Sequence, residues 1–281
     1  MSRWGWVFAL TALTMVAGGC GGATYTSPER YERGLVVCLS GAGGMMGEVD
    51  RIRDGLNSGG VDLAIEAFNW SRGGVFGDQM DVAENRRRAM QLAARVETYL
   101  KNRPGRPVHL IGVSAGTGLV VWALENLQGV RATGAVLIAF SLDAHYDLSH
   151  ALQNVNGHIY SFNSVADTVL SLGVTLTGTV DRNGGVGGGL VGFSPPDGAS
   201  EATKRLYQKK LKQFSWNPSE VLLGHLGNHL GATSSAFVRV RIAPLVLGKE
   251  PETADKPQAR PAATEPRTHA SRMTRDWKDL P

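Results

Sequence analysis

The chain has 281 residues, 42% of them hydrophobic, which is enough to bury one sizeable α/β core in a single domain. The formal net charge is +4, yet the basic residues are spread over several helical faces and the tail with acids among them. That pattern is a solvated surface and excludes a nucleic-acid groove.

In chain order, Arg3 precedes the apolar run Trp4 to Val16 and the small residues Ala17-Gly18-Gly19, so residues 1–19 read as a secretory signal. The run is shorter than the roughly 20 residues of a membrane-spanning helix. Residues 20–33 then form a polar N-terminal tether. The fold occupies 34–248, and residues 249–281, rich in Pro, Ala, Thr and balanced charge, read as a disordered tail. Within the fold, GLVVCLS (34–40) is a continuous apolar strand suited to a sheet covered on both faces, and it makes Cys38 a small buried hydrophobe. A glycine turn leads to a helix around Glu48 to Leu56, a strand over 61–70, and a long helix from about Met80 to Lys101, with Ala83, Met90, Ala94 and Val96 facing inward and Arg86 to Arg88 solvated. Strands at 107–113, 132–140 and 157–164 follow, with a helix to about Leu127 after the first. The glycine-dense stretch from Gly173 to Gly198 is too long for a simple turn and is either a flap or a surface excursion. A helix over 200–213, a loop with two histidines and a final helix over AFVRVRIAPLV complete the pattern. Strands alternating with helices imply a parallel sheet with active groups at its carboxyl ends.

The most informative stretch is PVHLIGVSAGTGLVVWALE (107–125): a strand, then Gly112-Val113-Ser114-Ala115-Gly116, then a helix. A serine turned outward at a strand tip occupies strained backbone, and its neighbours must be small, as Gly112, Ala115 and Gly116 are. The following helix aims its N-terminal amides at the serine, so the Ala115 amide can donate to an oxyanion. Ser114 is the candidate nucleophile. A capping serine in an ordinary strand-to-helix turn is the alternative.

At these residues the chain resembles the α/β-hydrolase superfamily, over roughly residues 34 to 247 with the elbow as the specific part. The resemblance implies a three-layer α/β/α sandwich with a mostly parallel sheet, and a Ser, acid, His order along the chain. A serine at its ordinary pKa needs a base within reach and a third group that orients that base. Asp167 follows the strand GHIYSFNS, and Ser164-Val165-Ala166-Asp167 resembles the loop from which many members present their acid. Asp143 and Asp181 are alternatives. The base comes from GHLGNHLGATS as His229, before the helix that Ser234 or Ser235 could start, with His225 the alternative. Ser40-Gly41-Ala42-Gly43-Gly44 stands where related lipases and esterases carry an HG-type loop, and there Ala42, or alternatively Gly41, supplies the second oxyanion amide. His109 reads as a packed strand residue.

Several other readings follow from the same residues. His225 and His229 have a spacing that permits a metal pair, but HExxH is missing and the glycine between them weakens a helix, so no metal is expected. Gly41-x-Gly43 matches half of a dinucleotide fingerprint, whose third glycine position holds Met46 and whose ribose acid is lacking. No cofactor is implied. The segment before Cys20 resembles a bacterial lipoprotein signal, with Ala17 in place of the more usual leucine, which implies that Cys20 is lipidated and becomes the mature N-terminus. The expectation is therefore an exported lipoprotein facing the periplasm or cell exterior: a serine hydrolase cleaving a small-molecule or lipid ester, with the membrane surface as its other contact and no protein partner. Lipase, peptidase and acyl-transfer variants remain open. So does a lipid-anchored, non-catalytic binding module on the same fold.

Overall fold

The computed structural model describes residues 24–72, 74–168, 179–181 and 188–249. The signal, Cys20, His269 and the tail from residue 250 onward lie outside the described residues, as do 169–178 and 182–187 of the glycine-dense region. The sheet has six strands: β1 (Leu35–Leu39), β2 (Ala64–Ala67), β3 (Val108–Val113), β4 (Gly134–Ile138), β5 (Ile159–Asn163) and β6 (Leu211–Ser215). Their order is β2-β1-β3-β4-β5-β6, and every pairing is parallel.

The three layers follow from strand alternation. In β1, Leu35, Val37 and Leu39 pack into one apolar cluster, while Val36 and Cys38 pack into the other. The first cluster is covered by α4 (Val82–Asn102), α5 (Gly116–Glu125), α6 (Ser149–Gln153) and α8 (Glu201–Lys210). The second is covered by α2 (Met46–Ser58) and by a closing helix, α9, made of Ser235–Phe237, a π-helical Val238–Ile242 and Ala243–Val246. A side-chain carbon on Gly55 or Gly59 of α2 would lie 2.5 Å from Val238 Cβ or 2.4 Å from Ala243 Cβ, so both glycines are needed for the close approach of α9. Pro244, which has no N–H to donate, stands where the π turn gives way to the last α turn.

The structure departs from the sequence expectations in several places. The helix expected over 200–213 ends at Lys210, and the chain passes directly into edge strand β6. The helix expected from about Met80 to Lys101 is α4, and the loop before it holds a further short helix, α3 (Val75–Met80); Asp81 separates the two, and its side chain accepts the Glu84 amide at 3.0 Å and caps α4. The buried face of α4 is Ala89, Leu92, Ala93, Val96 and Tyr99, whereas Ala83, Met90 and Ala94 are exposed. Arg86 is exposed as expected but stacks over the Trp122 ring at 4.6 Å. Residues 28–33 of the expected tether form helix α1 (Pro28–Arg33), pinned where Tyr25 O accepts from the Ile65 amide at 2.8 Å and Arg30 Nη1 donates to Leu63 O at 2.8 Å. The described parts of the glycine-dense stretch are docked. Val180 is buried, α7 (Gly188–Val191) hydrogen-bonds to the chain leaving β4, and Phe193 stacks on Phe140 at 4.0 Å.

Candidate active site

Strand order places the site. The chain leaves β1 toward β2 and returns to β3 on the other side, so the carboxyl ends of β1 and β3 diverge and open a crevice. Ser114 follows β3 there, and Ser40–Gly44 follows β1.

Ser114 has φ 50, a left-handed conformation that is rare outside glycine. Its amide donates to Ile138 O at 2.9 Å, and its carbonyl accepts from the Thr117 amide at 3.0 Å and Thr117 Oγ1 at 2.5 Å. The turn is tight: a side-chain carbon on Gly112 would lie 2.8 Å from Gly116 O, and one on Gly116 would lie 2.4 Å from Ser40 O. Small residues at both positions are thus what lets the serine stand at the tip. Ala115, at the head of α5, is fully buried.

The loop after β1 is held by side chains that the sequence did not single out. Trp70 Nε1 donates to Ser40 O at 2.9 Å, and buried Asp78 accepts the Gly43 amide at 2.9 Å, the Arg72 amide at 3.1 Å and the Ser71 hydroxyl. Gly43 and Gly44 both have positive φ, 87 and 66, and the Gly44 amide closes a turn onto Gly41 O at 3.3 Å. Among the described residues, the amides of Ala42 and Ala115 carry no hydrogen bond.

On the far side, His229 Nδ1 lies 2.7 Å from Asp167 Oδ2, with the side chains 13% and 1% exposed. Asp167 sits four residues past β5, and Ser164 locks its loop to the histidine loop through a bond from Ser164 Oγ to Gly227 O at 2.7 Å. Among the described residues no hydrogen bond links Ser114 Oγ to His229. Glu48 Oε1 and Ser114 Oγ approach the same side of Gly41, at 3.6 and 3.7 Å from a carbon built there. A nucleophile–base contact commonly tightens only when substrate is present.

The alternatives lie elsewhere. His225 is buried between Trp216 and Phe237, its Nδ1 accepts the Gly227 amide at 3.3 Å, and burial pulls its pKa down to about 4. Asp143 accepts the His145 amide at 2.7 Å, and Asp181 accepts the Asp143 amide at 3.3 Å, so this pair organises its own loop rather than His229. Burial lowers His109 to about 4 and raises the Cys38 thiol to about 12, leaving a neutral imidazole and an inert thiol in the core. Among the described residues, no group of three His, Cys, Asp or Glu is placed to hold a metal, and no helix is long and apolar enough to cross a membrane.

No family model and no curated protein matches the chain. Among solved structures it is similar to Est1E from Butyrivibrio proteoclasticus, at 10% identity and a TM-score of 0.45 over 79% of this chain and 90% of that one. It is also similar to a lipase-esterase related protein from Clostridium acetobutylicum, at 12% identity and a TM-score of 0.42 over 78% and 95%. A cutinase-like protein from a Cryptococcus species aligns at 15% identity and a TM-score of 0.40 over 78% and 96%. By its own parallel sheet, its switch point and its serine at the strand-to-helix elbow, the chain has a fold of the α/β-hydrolase type.

Proposed function

We propose that the protein is a serine hydrolase that cleaves carboxylic esters and is exported and held at a membrane by lipid on Cys20. The observation that carries the reading is a strained serine at the elbow after β3, in a chain that also pairs His229 with the buried Asp167 at 2.7 Å. In the reaction Ser114 Oγ gives its proton to His229 Nε2 and attacks the ester carbon, and the amides of Ala115 and Ala42 receive the developing oxyanion. Asp167 keeps the His229 proton on Nδ1 and stabilises the imidazolium. The imidazolium passes its proton to the departing alkoxide as the C–O bond breaks. Water, deprotonated by the same histidine, then releases the acid and restores Ser114. Apolar esters are favoured because Met45, Met46, Val75, Phe76 and Leu226 are exposed on connections leaving the strands' carboxyl ends.

Hydrolysis of nitrophenyl esters of rising chain length tests this. Turnover is expected for apolar acyl chains, and Ser114→Ala should lower kcat by on the order of 10⁴- to 10⁶-fold at an unchanged melting temperature. Turnover that survives the substitution would refute the assignment.

A further inference from the structure

Among the described residues, Glu48 is a buried acid at this crevice that the mechanism leaves unused, and its setting is unusual. It lies in the first turn of α2 and is 2% exposed. A carbon built on Gly41 would be 3.6 Å from Glu48 Oε1, 3.2 Å from Ser114 Cβ and 3.7 Å from Ser114 Oγ, so carboxyl and nucleophile flank the same α-carbon. The other carboxyl oxygen, Oε2, is buried and has no hydrogen-bond partner among the described residues. An orphaned oxygen on a buried carboxyl beside a nucleophile is costly unless a ligand engages it.

We propose that Glu48 is a further catalytic residue, acting as a carboxylic acid whose O–H donates to the oxyanion alongside the amides of Ala42 and Ala115. The assignment rests on the hydrolase reading above and gives the orphaned carboxyl a partner. The carboxyl proton serves the space beside Ser114 where negative charge develops. A carboxylate in the same place would instead repel the oxyanion. Burial favours the acid form and raises the Glu48 pKa. The Gly41 amide, His229 from the loop facing α2, and Arg51 on α2 itself oppose it more weakly. The proton stays on Glu48 throughout the reaction; it is shared in a hydrogen bond, not transferred.

The test is the pH dependence of ester hydrolysis by the full-length wild type, Glu48→Gln and Glu48→Leu, from about pH 5 to about pH 10. The wild type should lose kcat on an alkaline limb as Glu48 ionises. The neutral, donating Glu48→Gln should keep kcat within about threefold and lack that limb, and it should stay folded as a near-isostere. Glu48→Leu should lower kcat on the order of ten- to a hundredfold with KM little changed. Three results would overturn the proposal: Glu48→Leu with wild-type kcat, Glu48→Gln with the wild-type alkaline limb, or Glu48→Gln as slow as Glu48→Leu. Any of these with turnover still dependent on Ser114 removes the role of Glu48 alone. A wild type that cleaves no ester at any pH removes the hydrolase reading together with it.

Discussion

At the scale of residues, the two histidines of one short loop have opposite fates for physical reasons. Gly227, at φ 79, turns the chain between them, which leaves His225 wedged against Trp216 and Phe237 and sends His229 to Asp167. Asp167→Asn keeps the shape of the site but offers an amide to Nδ1 and reverses the tautomer, so kcat should fall by about 10³- to 10⁴-fold with KM nearly constant. His225→Gln should remain within about tenfold of wild type, because that ring touches no reacting atom. A His225 variant as inactive as an Asp167 variant would exchange their roles, and the comparison needs only steady-state kinetics. Both histidines were legible as candidates from their place before the last helix. Which was which depended on Trp216, whose side chain donates to His225 O at 2.8 Å, and nothing local in the sequence reports that contact.

Among the elements, the strand-elbow-helix unit was legible because one stretch carries two constraints at once, a continuous apolar strand and small residues on either side of the serine. The cost of violating the second is calculable. Gly116→Ala would drive a carbon to 2.4 Å from Ser40 O, so β1 or α5 must shift. Overpacking of this kind costs about 1 to 3 kcal/mol, which should lower the melting temperature by several degrees. Because Ser40 opens the oxyanion loop, kcat should drop at least about tenfold as well. Unchanged melting and turnover would mean that the elbow tolerates a side chain. Other elements were harder to read. β6 carries Lys212 and Gln213 on a sheet edge, where one side stays solvated, so its sequence continues the polar pattern of α8. The inner face of α4 was misplaced because its buried stripe runs through Ala89, Leu92, Val96 and Tyr99, while the apolar Ala83, Met90 and Ala94 are exposed on another side. Glu48 and Asp78 were missed because an acid in the first turn of a helix ordinarily reads as a solvated dipole partner.

For the whole molecule, alternation of strands and helices was enough to foresee the parallel sheet, and strand order then put the switch point between β1 and β3, where Ser114 stands. The order itself was not legible, since it depends on which side of β1 the chain returns to. The proposed lipid anchor belongs to this scale too. Fatty acid fed to cells expressing the full chain should label it and hold it in the membrane fraction, and Cys20→Ala should abolish both. Unaltered membrane partitioning of that variant would remove the anchor. The central claim is that Ser114 is an activated nucleophile, and reaction with a fluorophosphonate followed by peptide mass spectrometry measures it most directly. The account predicts covalent modification at Ser114, absent in Ser114→Ala and strongly slowed in Asp167→Asn. A well-folded protein that stays unmodified, or is modified at another serine, would contradict it.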